Sequence, residues 1–189
     1  LAIALYAGFV TVRRRAPGAA LVEGLLGVPW LVPGTVFAIA LATAFSVHQP
    51  LVGRIVLIGT LWILPLAYLI RNLPIASRAI LAGFRGLDPA LEDASASLGG
   101  GRWHTIRRVT LPLLRPALAA GATLAFVTAL GDFVTSIILY TYDTRPLSLE
   151  ILSSLRQGDV GVAAAYGVLL MLLAGAVFAL GSERRVLSR

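Results

Sequence analysis

The chain has 189 residues, 58% of them apolar and 13% charged, with a mean hydropathy of +0.86. Soluble domains run nearer a quarter charged, and a core this small cannot hide so large an apolar excess. These numbers argue against a water-soluble globular enzyme and equally against a disordered chain. A net charge of +7 and a pI near 11 would fit nucleic acid only if the charge lay on a solvated face; here it flanks apolar blocks. With no cysteine there is no disulfide framework, thiolate metal site or cysteine nucleophile.

The length fits one domain. The chain opens at Leu1 inside an apolar run, and residues 1–12 read as the tail of a span in a fragment lacking its N-terminal part. A helix crossing roughly 30 Å of hydrocarbon needs about 20 mostly apolar residues. Gly24–Gly53 holds 30 uncharged residues, Ile55–Ile70 holds 16, Val160–Ser182 holds 23, and Pro116–Tyr142 holds 27 interrupted only by Asp132. The pattern predicts one partial and four complete transmembrane helices, at about 1–12, 28–47, 52–71, 115–141 and 160–181. A secretory signal peptide would need a cleavage site and a soluble domain behind it, and neither is present. Pro29, Pro33, Gly34 and Pro65 fall inside spans. They are either kinks whose freed backbone groups neighbouring helices satisfy, or breaks that shape a pathway.

All 16 basic residues are arginine, and they are unevenly placed. If the helices alternate in direction, residues 13–27, 72–114 and the tail from 182 share one side and, with their flanks, carry 13 arginines. Residues 48–51 and 142–159 share the other, with only Arg54, Arg145 and Arg156. The positive-inside rule puts the first set in the cytoplasm. The asymmetry accounts for the pI without nucleic acid.

Residues 72–114 are longer than a hairpin between spans requires. Within them, 87–99 read as a short helix. Asp88 can cap it, Pro89 suits its first position, Glu92 and Asp93 favour its positive dipole end, and Gly99, Gly100 and Gly101 stop it. Leu91, Ala94, Ser95 and Leu98 fall on one narrow face of small residues that another surface could approach closely. A second helical piece, Trp103–Val109, is expected to end before Leu111-Pro112. Residue chemistry alone leaves two readings open: an amphipathic linker on the headgroups, or a docking element for a cytoplasmic partner.

Asp132 lies deep in an apolar stretch, where a carboxylate costs about 2.5–3.5 kcal/mol on insertion scales. It either hydrogen-bonds to neighbouring helices and fixes their packing, or lines a pathway for a cationic solute. Residues 140–159, with Tyr140, Tyr142, Asp143, Arg145, Glu150, Arg156 and Asp159, read as an outer solvated loop with a re-entrant turn near Pro146. The alternative is a docking surface for a delivery protein, using charges that steer encounter. His48 and His104 are isolated, and no residues group as an acid–base pair or a Ser/His/Asp triad.

The connection also carries a motif. Asp93-Ala94-Ser95, three residues, Gly99, nine residues, Val109-Thr110-Leu111-Pro112 resembles the signature Glu-Ala-Ala, three, Gly, nine, Ile-x-Leu-Pro of inner-membrane permease subunits of binding-protein-dependent ABC importers. The departures are Asp for Glu, Ser for the second Ala and Val for Ile. Pro33-Gly34 and the late acidic residue of the fourth helix are similar to that family too, so the likeness spans nearly the whole chain. It implies an all-α, polytopic, MetI-like helical bundle in the bacterial inner membrane, with residues 1–189 as an N-terminally truncated permease domain and 72–114 as its coupling loop. By position, Glu92, Asp93, Ala94, Ser95, Gly99, Leu111 and Pro112 would couple it to an ATPase dimer. The further partners it implies are a periplasmic substrate-binding protein, a second permease half (homodimer or fused repeat) and the lipid bilayer. No Gly-x4-Gly-Lys-Ser/Thr loop and no lysine occur, so ATP and Mg are expected on the partner ATPase, and no cofactor is expected on this chain. Leu130–Ser136, Arg145–Ser148 and Ala163–Gly167 look most like the ferric-iron branch. Polyamine, thiamine and small-anion permeases are the near alternatives, and an ATP-independent secondary transporter or a membrane scaffold is the alternative from another class.

Overall fold

The computed structural model describes residues 1–14, 17–46, 53 and 55–186, with side chains to 181. Arg15, His48, Arg54 and Arg189, and the side chains of Arg184 and Arg185, lie outside the described residues, as do the ends of the expected spans at 47 and 52. In chain order the helices are α1 (Ala2–Gly8), which runs into a π turn (Phe9–Arg13), α2 (Ala19–Leu31), α3 (Gly34–Ala44), α4 (Ile63–Gly86), α5 (Ala90–Ser97) and α6 (Arg102–Thr105). A second π turn (Ile106–Thr110) leads into α7 (Leu111–Leu130), followed by α8 (Phe133–Leu139), α9 (Leu147–Arg156) and α10 (Val160–Val186).

Among the described residues, two stretches can by length and composition cross a membrane alone, Arg102–Leu130 and Val160–Gly181, and the broken pair α2–α3 makes a third if taken as one span. The second of these coincides with the expected span 160–181. The others depart from expectation for identifiable reasons. The span expected at 28–47 begins earlier, at Ala19, and breaks at Val32-Pro33 with a 100° bend. Pro33 has no N–H to donate and pushes Val32 out of the helical region. Among the described residues of the span expected at 52–71, the helix begins at Ile63, and it continues to Gly86. Pro65 sits in its first turn, where proline is tolerated without a kink. Much of the connection expected over 72–114 is therefore helix, and the chain leaves α4 only at Leu87.

The piece expected to stop before Leu111-Pro112 does not stop. The π turn carries the helix from Arg102 through Pro112 and Pro116 to Leu130, since its wider ring relaxes the i→i−4 ladder where Pro112 has no donor. The span expected at 115–141 ends at Leu130, and α8 restarts after Gly131-Asp132.

The chain divides into two compact units. In the first (Leu1–Gly27, Leu73–Ala125, Leu180–Arg189), Ala4, Ile80, Phe84 and Leu114 form the buried core. Ala76, Ile80, Leu81 and Phe84 recur every three or four residues and bury one face of α4, while Arg78 and Arg85 point outward. A Cβ on Gly83 would meet that of Ala117 at 2.5 Å, so α4 and α7 approach more closely than any larger residue permits. In the second unit (Val28–Asn72, Phe126–Ala179), Ala38, Ile63, Leu64, Ala67 and Leu139 make a core from α3, the start of α4 and α8. Along α10, Val168, Leu169, Met171, Leu172 and Leu173 are all exposed, which suits a helix that lipid or another membrane subunit surrounds.

Candidate functional site: a seated connection helix and a charged helix break

The connection lies in the first unit. α5 starts as its sequence dictates: Asp88 Oδ1 accepts from the Ala90 amide at 2.9 Å, and Glu92 and Asp93 occupy the first turn. It ends in a Schellman motif. Gly99 takes φ +81°, its amide donates to Ala96 O at 2.9 Å, and the Gly100 amide donates to Ser95 O at 2.9 Å. Only glycine adopts that φ without strain.

The motif residues divide into two groups. Glu92 and Ser95 face the helix's own unit: Glu92 Oε1 accepts from Thr110 Oγ1 at 2.9 Å and lies 3.2 Å from Arg13 Nε, and the Ser95 hydroxyl pairs with that of Thr105 at 2.9 Å. Arg13 Nη2 also donates to Leu87 O at 3.1 Å, tying down the entry to the helix. Asp93, Ala94 and Gly99 point outward with Leu91 and Leu98, the last 90% exposed. Trp103 is also exposed, beside the exposed arginines 102, 107 and 108. The expected face of Leu91, Ala94, Ser95 and Leu98 is thus open except at Ser95. Leu111 and Pro112 stand in the first turn of α7, directly after the Thr110 that holds Glu92, with Leu111 exposed. The sequence does not mark Arg13, Thr105 and Thr110 as seat residues. Arg13 reads in sequence as a topology marker, and two threonines on a basic helix carry no signal.

Asp132 lies in the second unit. Its carboxylate caps α8, accepting from the Thr135 amide at 3.1 Å and from Thr135 Oγ1 at 2.7 Å. It also lies 3.2 Å from Arg71 Nε, with the Asp132 side chain 9% exposed. Ser136 Oγ donates to the backbone oxygen of Asp132 and pairs with Tyr68 OH at 2.5 Å, so α4 and α8 meet in one polar network. Gly34 adjoins it: a Cβ there would stand 2.9 Å from Arg71 Nη2 and 3.1 Å from Val134 Cγ1. The two chain breaks, at Pro33-Gly34 and Gly131-Asp132, therefore converge on one guanidinium. Arg71 closes the expected span 52–71, which in sequence marks a membrane boundary and conceals its inward role.

The stretch 140–159, expected outside, is only partly a loop. The turn expected near Pro146 starts helix α9, with Pro146 as its N-cap residue. Among the described residues, no group of three His, Asp or Glu side chains could hold a metal ion.

Apolar helices with proline and glycine breaks, a buried ion pair at a break and a polar-seated short helix define a polytopic α-helical membrane protein. The model of the family described as binding-protein-dependent transport system inner membrane component matches residues 1–184, and the chain belongs to that family. It is a multi-pass protein of the inner membrane. It is 35% identical over 173 residues to the ferric transport system permease protein FbpB of Actinobacillus pleuropneumoniae, covering 92% of this chain and 24% of that protein. It is 30% identical over 193 residues to the sulfate transport system permease protein CysT of Escherichia coli (strain K12), covering 98% of this chain and 69% of that one. The chain spans only about a quarter to a third of the longer relatives it matches. In fold it is similar to a bacterial ABC transporter involved in the import of the acidic polysaccharide alginate (TM-score 0.76, 20% identity, 97% of this chain and 72% of that one). The alginate transporter in complex with a pentasaccharide-bound periplasmic protein gives TM-score 0.70 at 21% identity, over 97% of this chain and 70% of that one.

Proposed function

We propose that the chain is part of a permease half of an ATP-driven importer, forming the solute path and receiving its drive through α5. The observation that carries this reading is the division of the motif: Glu92 and Ser95 fasten α5 to its unit, while Leu91, Asp93, Ala94 and Leu98 are left open. A short helix held from behind and bare in front can pass a push inward. An amphipathic linker on headgroups would have no use for the Glu92–Arg13 pair. Separate ATPase subunits would bind ATP and Mg, a substrate-binding protein would deliver solute from outside, and a second half, as a homodimer or fused repeat, would complete the path. The alginate transporter solved with a periplasmic protein supports the delivery partner.

Iron(III) is the solute we place first, on the motifs of α8 to α10 and the ferric relative. A small oxyanion is the second reading, favoured by the sulfate relative and by the Arg71–Asp132 pair, whose mutual neutralisation leaves no net negative charge at the break to draw a cation. The test is uptake into proteoliposomes holding the full-length permease with its co-encoded ATPase and binding protein. ATP-dependent accumulation is expected, and competition between radiolabelled iron and sulfate assigns the solute. Accumulation that proceeds without ATP contradicts the reading and favours a secondary transporter.

A further inference from the structure

The Arg71–Asp132 pair ties one continuous helix to two broken ones. Through this region α4 runs unbroken from Ile63 to Gly86, whereas α8 restarts after Asp132 and α3 restarts at Gly34 beyond the 100° bend. Breaks of this kind are where a membrane helix can hinge. Gly34 has no Cβ to push it away, so Arg71 Nη2 lies against the start of α3, and one guanidinium reaches both hinges. A second tie runs beside the first. Ser136 Oγ spends its proton on the backbone oxygen of Asp132, so Tyr68 OH, three residues before Arg71 on α4, donates to Ser136 Oγ at 2.5 Å. Thr135 and Ser136 are fully buried, which keeps water from competing for these bonds.

Stability alone does not account for the arrangement. A buried ion pair is a poor stabiliser beside apolar packing of the same volume, because desolvation cancels much of the attraction. This one is also incompletely bonded. Asn72 Nδ2 donates to Tyr68 O at 2.9 Å, but Asn72 Oδ1 and Arg71 Nη1, buried on consecutive residues of α4, have no hydrogen-bond partner among the described residues. Buried polar groups are normally satisfied. A spare donor and a spare acceptor at the junction of two hinges leave it a second set of partners to take up when the helices move.

We propose that Arg71 is a gating residue: its pair with Asp132 latches the two breaks in the conformation the structure shows, and the latch must part in each transport cycle. The cycle itself comes from the permease reading, on which this latch rests. Arg71 acts by setting the cost of leaving the latched state, so weakening the pair shifts the population toward the open one.

The test uses the full-length transporter assembled with its co-encoded ATPase, with ATP hydrolysis measured in the presence and absence of the delivery protein. The deciding variant is Arg71→Gln/Asp132→Asn, because two neutral amides should leave its thermal midpoint near that of the wild type. The latch predicts hydrolysis without the delivery protein about tenfold faster than in the wild type. Arg71→Lys, which keeps the charge and loses the fork, should fall between the two. A pair that merely holds the fold cannot give this gain, since lost packing slows hydrolysis or leaves it unchanged. A double variant with the wild-type midpoint that still waits for the delivery protein overturns the latch; if the double variant folds poorly, Arg71→Lys decides in its place, and a rate no higher than the wild type's overturns it. A further readout needs no ATP. Leu139, on α8 and 1% exposed, is shielded while the latch holds, so thiol labelling of Leu139→Cys should quicken about tenfold when the double substitution is added. Wild-type hydrolysis that never responds to the delivery protein contradicts the permease reading. In that case faster labelling leaves the latch standing, and unchanged labelling removes it as well.

Discussion

Asp132 does two separable jobs, and substitutions separate them. Asn at a helix N-cap is as good as Asp, so Asp132→Asn retains the amide cap of α8 through Oδ1, removes the charge facing Arg71, and leaves the Thr135 hydroxyl to accept from the new amide rather than donate. A fully buried pair broken on one side costs roughly 3–5 kcal/mol. Arg71 keeps a quarter of its side chain exposed, so about 2 kcal/mol is expected, read as a lower thermal midpoint of the purified transporter. Arg71→Gln combined with Asp132→Asn replaces the ion pair with two neutral amides and should recover much of that loss. Glu92 behaves differently. Glu92→Gln keeps an oxygen for Thr110 and loses the Arg13 pair, whereas Glu92→Ala loses both. ATPase activity should come uncoupled from uptake more severely in Glu92→Ala than in Glu92→Gln, as measured in proteoliposomes. At this scale the sequence was readable wherever local rules govern. The Asp88 cap and the Gly99 stop follow from neighbours a few residues away. Arg71 and Arg13 were not legible as partners, because their acids lie far along the chain and the topological rule already explained them.

At the scale of the element, α5 depends on its end. Moving Gly99 to Ala puts a Cβ on a left-handed residue at roughly 1–2 kcal/mol, and the Schellman bonds to Ser95 and Ala96 loosen with it. Such a variant should insert normally but show weaker ATPase stimulation by the delivery protein. Within the first unit, Gly83→Ala would drive a methyl onto Ala117, and reduced yield of folded protein is expected, measured by size-exclusion chromatography in detergent. Element boundaries show why hydropathy alone misplaces three of the four complete spans. A charge-free run records where lipid is tolerated, whereas α3 and α8 are set by where the backbone loses a donor or gains a cap, at Pro33 and Asp132. The run-on from α6 into α7 was hidden for the opposite reason: Leu111-Pro112 is a stop signal in an α-helix but not after a π turn.

For the molecule as a whole, the central claim is that α5 is a handle held to its own unit by Glu92 and Ser95 and gripped from the cytoplasm by a nucleotide-driven partner. These 189 residues contain no cysteine, so one introduced at Ala94, on the open side of α5, is the single thiol of this segment. The most direct measurement is crosslinking of the Ala94→Cys permease to single-cysteine variants of the co-encoded ATPase in membranes, with and without ATP. The account predicts a specific crosslink whose yield changes with nucleotide. A cysteine that reacts only with reagents added from outside the cell, or a crosslink indifferent to nucleotide while uptake continues, would contradict it.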